Sequence, residues 1–89
     1  MAKAIWKFPL EIMDEQSIEM PGGAELLTVA VQGGECFLWA VVQPKNNRVS
    51  RRLNIYGTGH PLPDEPGRHI GTFMLHGGAL VFHAFDPNA

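Results

Sequence analysis

The densest set of chemically capable groups in this chain lies in six consecutive residues, Tyr56-Gly57-Thr58-Gly59-His60-Pro61. Glycines let a backbone approach a ligand closely, and successive N–H groups in a glycine-rich turn can cradle an anion. Thr58 and His60 add side-chain donors, and Tyr56 adds a ring able to stack on a base. Arg51 and Arg52 lie just upstream, and a guanidinium pairs with phosphate or carboxylate in fork geometry. Arg51, Arg52, Tyr56, Gly57, Thr58, Gly59 and His60 are therefore the candidate ligand-binding residues, suited to a small phosphorylated or nucleotide-like molecule. A purely structural account competes with this one: a strand ending in a bulge, with His60 closing the turn. No helical pattern follows the glycines, so the segment is neither a P-loop nor a dinucleotide-binding turn.

Other chemistries find weaker support. His69, His76 and His83 recur at intervals of seven, a spacing that invites a metal site. In the hairpin register, however, His76 lies at the turn while His83 faces Thr72, four residues away or roughly 13 Å, too far for one ion with ~2 Å ligand bonds. His69 is expected on the opposite face. Cys36 falls on a strand among apolar residues, where a thiol behaves as an inert small hydrophobe. Ser17 and Ser50 lack a nucleophile-elbow motif, and Glu11, Asp14 and Glu15 cluster where carboxylates are ordinarily just solvated. The expectation is a protein that is not an enzyme, with no metal and no cofactor.

The elements that must position these residues are strands. Glycine and proline punctuate the chain at short intervals, and the segments between them are rich in β-branched and aromatic residues. The pattern predicts strands over Ala4–Leu10, Gln16–Met20, Glu25–Gln32, Glu35–Gln43, Arg51–Gly57, His69–His76 and Ala79–Phe85, with a turn of helix over Glu11–Ser17. Gly33-Gly34 and Gly77-Gly78 each separate two strand-like runs, predicting two-residue hairpin turns. From the first turn the register sets Gln32 opposite Glu35, Thr28 opposite Trp39 and Leu26 opposite Val41. From the second, Leu75 faces Leu80, Thr72 faces His83 and Ile70 faces Phe85. Both faces of the first hairpin are largely apolar, which predicts cover on both sides, either within the fold or from another subunit. Trp39 is expected in the core or an interface, and Trp6 in packing. Asn46-Asn47 marks a turn in a polar loop, and 57–67 is a long connection of the kind that often carries function.

Eighty-nine residues suit one all-β domain spanning 1–89. The expected fold is a compact antiparallel β-sandwich or small barrel of about six to seven short strands with Gly-Gly hairpins. With 45% hydrophobic and 18% charged residues, the chain is apolar for its size, which points to a homo-oligomer or a partner covering part of the surface. Seven basic against nine acidic side chains leave a charge of −2, so nucleic acid is not the expected partner. A single cysteine cannot form an internal disulfide. No signal-like segment and no apolar run of about 18–20 residues occurs. A cytoplasmic protein away from membranes is expected.

Several motifs in order, Ile5-Trp6-Lys7-Phe8-Pro9-Leu10, Met20-Pro21-Gly22-Gly23-Ala24, Leu38-Trp39-Ala40, Tyr56 to Pro61, Ile70-Gly71-Thr72-Phe73 and Gly78 to His83, run through nearly the whole chain. In them the sequence resembles short hypothetical proteins of tailed phages and prophages, a domain of unknown function. The resemblance implies a phage accessory protein in a host bacterial cytoplasm and carries no catalytic residues with it. By analogy with that class, the expected role is to counter host defence by occluding a host protein. One alternative is sequestering a small nucleotide signal through the Gly57–Pro61 loop; another is a minor structural part of the virion.

Overall fold

The computed structural model describes residues 2–88. Its strands are β1 (Ala4–Pro9), β2 (Glu15–Pro21), β3 (Glu25–Gln32), β4 (Glu35–Val42), β5 (Arg48–Gly57), β6 (Arg68–Leu75) and β7 (Leu80–Asp86). They form two antiparallel sheets, a smaller one of order β1-β4-β3 and a larger one of order β2-β5-β7-β6. The period of two builds both. Along β4, Cys36, Leu38, Ala40 and Val42 are buried while Phe37, Trp39 and Val41 are half-buried. Along β5, Leu53 and Ile55 turn inward. Phe8, Leu26, Val29 and Leu38 of the smaller sheet share one core with Met20, Leu53, Ile55, Phe73 and Ala84 of the larger.

The barrel alternative fails. Closure requires every strand to be hydrogen-bonded on both sides, whereas β1, β3, β2 and β6 are each the end of a sheet. At β3 and β6 the two sheets abut without sharing a ladder. Gly71 of β6 comes so close to β3 that a Cβ there would lie 2.9 Å from Val29 Cγ2 and 3.2 Å from the Val29 backbone nitrogen. Two arginines of the larger sheet complete this joint. Arg68 donates to the Leu26 carbonyl at 2.7 Å, and Arg51 donates to the Ala24 carbonyl at 2.6 Å.

Both hairpins depart from the simple register at one residue. Pairing runs as expected from Gln32–Glu35 to Thr28–Trp39, then slips, so that Leu26 pairs with Ala40 rather than Val41. It likewise runs from Leu75–Leu80 to Gly71–Ala84, then slips, so that Phe85 faces His69 rather than Ile70. Each slip is a β-bulge, which adds one residue to a strand and reverses the facing of everything beyond it. Gly33 and Gly34, with φ of 60° and 84°, lie between Gln32 and Glu35 in positive-φ backbone that glycine adopts freely. The second connection differs from the expected two-residue turn. It runs from 76 to 79, with a 3-10 turn over His76–Gly78. No helix forms over Glu11–Ser17; Gln16 instead folds back to donate to the Glu11 carbonyl at 2.7 Å, and β2 begins at Glu15. The turn read at Asn46-Asn47 lies earlier, with the Asn46 N–H bonded to the Gln43 carbonyl at 3.0 Å. Pro44 is then its second residue, the position proline favours. Among the described residues, no helix is long and apolar enough to cross a membrane.

Candidate functional site

The outward side of the larger sheet gathers most of the candidate groups. On β5, Arg52, Asn54 and Tyr56 face away from the core positions Leu53 and Ile55. Residues directly opposite in an antiparallel ladder share a face. Tyr56 pairs with His83 and Asn54 with Phe85, while Thr72 pairs with His83 and His69 with Phe85. One face therefore carries Tyr56, His83, Thr72, Phe85 and His69 side by side. His69 was expected on the opposite face; the bulge at Ile70 puts it here.

These side chains are locked together. His83 Nε2 lies 2.7 Å from Thr58 Oγ1, and its Nδ1 lies 3.0 Å from Thr72 Oγ1. Thr72 Oγ1 is in turn 3.0 Å from His69 Nε2. One consistent polarity satisfies all three bonds: Thr58 O–H to His83, His83 N–H to Thr72, Thr72 O–H to His69. The rings pack as well, with Phe85 edge-to-face against Tyr56 at 5.7 Å and against His69 at 5.2 Å. A hydroxyl–imidazole–hydroxyl chain has the outline of an activated nucleophile. Thr72, though, is a neutral group, and it orients His83 without stabilising an imidazolium as a carboxylate would.

The Gly57–His60 turn closes over one end of this row. The His60 N–H bonds the Gly57 carbonyl at 3.0 Å, and Gly59 has φ of 88°, the third-position glycine of a type II turn. The His60 ring lies over Gly57, so close that a Cβ on Gly57 would be 3.0 Å from its Nδ1. Between turn and sheet is a hollow of about 220 Å³ lined by Tyr56, Thr58, His60, Leu62, His83 and Phe85. His60 also borders a neighbouring hollow edged by Asp14 and Glu15.

The structure thus brings Tyr56, Gly57, Thr58, Gly59 and His60 together and separates both arginines from them. Arg51 faces inward, where it donates to Asp86 at 2.7 Å, with side chains only 19% and 1% exposed. Its role is to tie the larger sheet to the start of β3. Arg52 faces out but is paired with Glu15 at 2.7 Å, four residues along the strand from Tyr56, or about 13 Å. Sequence reasoning missed His83, Phe85, Thr72 and His69 as site residues. The Thr72–His83 pairing was legible from the hairpin register, whereas the bulge that brings in His69 and resets Phe85 was not. No group of three or more His, Cys, Asp or Glu among the described residues is placed to hold a metal ion. Cys36 is buried, and desolvation raises its thiol pKa, which keeps it protonated and unreactive.

A second surface lies on the outward side of the smaller sheet. Its cross-strand rows are Ile5–Val41–Glu25, Lys7–Trp39–Thr28 and Pro9–Phe37–Ala30. Phe37 and Trp39 pack edge-to-face at 6.0 Å, and Lys7 Nζ sits 4.4 Å above the Phe37 ring. Phe37, Trp39 and Val41 remain half-exposed, and Ile5 is 62% exposed. Of the two kinds of cover expected for this hairpin, from within the fold or from another subunit, the fold supplies none on this side among the described residues.

Comparison with known families matches residues 1–89 to a family described as Domain of unknown function (DUF7352). The chain belongs to that family. Neither the comparison with curated proteins nor that with solved structures returned a match.

Proposed function

We propose that this member of the DUF7352 family is a non-catalytic accessory binding protein that acts by occluding another protein. The supporting observation is the outward face of the smaller sheet, where Trp39, Phe37, Val41 and Ile5 form one apolar surface. A contiguous apolar sheet face rimmed by Lys7, Glu25 and Gln32 has the make-up of an interface, with aromatic anchors at the centre and polar groups at the edge. The resemblance to short phage and prophage proteins supports a phage origin, a host defence protein as the partner and the bacterial cytoplasm as the setting. A second copy of the chain on the same face would make the homo-oligomer that the apolar composition favours.

The test is a double variant, Ile5→Glu with Val41→Glu, which places two charges on outward positions without touching the core. Light scattering of the wild type should give a mass above the 9.8 kDa of one chain, or host lysate should yield a bound protein that the variant fails to retain. A wild-type monomer with the same bound proteins as the variant refutes the reading.

A second reading is supported by the hollow beside the Gly57–His60 turn. There the protein would sequester a small nucleotide-like ligand through Tyr56, Thr58 and His60, with Gly57 and Gly59 shaping the turn. The partnered positions of Arg51 and Arg52 weigh against a phosphate grip in that reading.

A further inference from the structure

We infer that the hollow between the Gly57–His60 turn and β7 takes an uncharged planar heteroaromatic ring of nucleobase size, recognised by its ring and not by a phosphate. This rests on the second reading above and narrows it to a ligand class. Size comes first. A cavity of about 150 Å³ holds benzene, and this one, at about 220 Å³, has room for a larger ring system.

The walls supply the chemistry. Phe85 and Tyr56 present aromatic surface, and Leu62 closes the outer side at 50% exposure. Base–aromatic stacking depends on the π-face alone and tolerates any flat ring. The rings are held before any ligand arrives, since Phe85 is braced by Tyr56 at 5.7 Å and His69 at 5.2 Å. His83 is clamped on both nitrogens by Thr58 and Thr72, so that wall is fixed too. Preorganisation of this kind lowers the ordering cost of binding. His60 is different: its ring has no hydrogen-bond partner among the described residues, and it borders the hollow directly. It can therefore donate to, or accept from, the edge of a bound ring.

Charge sets what the ligand cannot carry. Asp14 and Glu15 edge the adjoining hollow, so the field there opposes an anion. Arg52 neutralises Glu15 at 2.7 Å, which leaves Asp14 without a cationic partner among the described residues. Arg51 is on the other side of the sheet, held by Asp86. A phosphate attached to the ring would meet the Asp14 carboxylate and find both guanidinium groups already committed to carboxylates.

The experiment is a two-dimensional amide NMR titration of labelled protein with adenosine and, separately, with adenosine monophosphate. Adenosine should move the amides of Gly57 to His60 and of His83, and the monophosphate should bind no more tightly. Phe85→Ala should weaken adenosine binding at least tenfold while the remaining amide spectrum keeps its dispersion. If Phe85→Ala fails to fold, Gly57→Ala, which displaces the His60 ring, should weaken binding in its place. Monophosphate binding tenfold or more tighter than adenosine, with shifts reaching Arg52, overturns this inference and leaves the second reading standing. No shift with either probe at millimolar concentration overturns both.

Discussion

Replacing Arg51 by methionine tests how the two sheets are joined. The substitution keeps the apolar stem and removes the guanidinium. The Ala24 carbonyl then loses its 2.6 Å bond. Among the described residues Asp86, 1% exposed, then keeps only the Asn88 N–H at 3.0 Å. Breaking a buried pair by removing one partner costs about 3–5 kcal/mol, because the other charge stays desolvated. At roughly 0.05–0.15 kcal/mol per residue, the whole domain has a stability on the order of 4–13 kcal/mol. Arg51→Met should therefore lose about a fifth or more of it and melt at least about 12 °C lower. Arg52→Met, at a neighbouring position whose ion pair is 54% and 68% exposed, should stay within about 1 kcal/mol of wild type. Urea unfolding followed by the fluorescence of Trp6 and Trp39 measures both. Adding Asp86→Leu to Arg51→Met should recover most of the loss, since a buried pair replaced by apolar groups is often neutral. An Arg51→Met protein as stable as Arg52→Met would refute the assignment of Arg51 to the joint between the sheets.

Two further outcomes follow from the packing. Gly71→Ala should cost about 1–3 kcal/mol by overpacking, because the added methyl meets the Val29 backbone nitrogen at 3.2 Å and backbone cannot move aside as a side chain can. Denaturant unfolding checks it, and a loss below about 0.5 kcal/mol would mean that β3 and β6 slide apart without penalty. Cys36 should react with a disulfide reagent at mildly alkaline pH only as fast as the chain opens. Burial raises the folded thiol pKa above its ordinary value of 9.0, so the unfolded chain loses this proton first. The associated stability is present below 9.0 and falls away as pH rises through the folded value. A thiol that reacts at the rate of a free cysteine in native buffer would contradict its burial.

Local chemistry determined a good deal of this protein. A run of apolar and β-branched residues bounded by glycine marks β3 at Glu25–Gln32 as read from the sequence, and the other strands lie within a few residues of their expected limits. Near each turn the register was legible, because side-chain period and turn length alone decide it. The turn at Tyr56 to His60 was legible for the same reason: Gly57 and Gly59 meet requirements that are local.

What lay beyond reach depends on contacts between distant segments. The bulges at Leu27 and Ile70 occur where β3 and β6 press together, and no local signal announces them. Yet the one at Ile70 decides that His69 joins Thr72, His83 and Phe85. Arg51 and Arg52 are adjacent and chemically alike, and only the face each occupies makes one a buried tie and the other a surface group. The uncovered side of the smaller sheet is likewise a tertiary fact. Sequence shows that both sides of β3 and β4 are apolar, but only packing shows that no layer among the described residues covers Trp39 and Phe37. Period and turn chemistry act over a few residues, whereas burial and partnership are set by segments tens of residues apart.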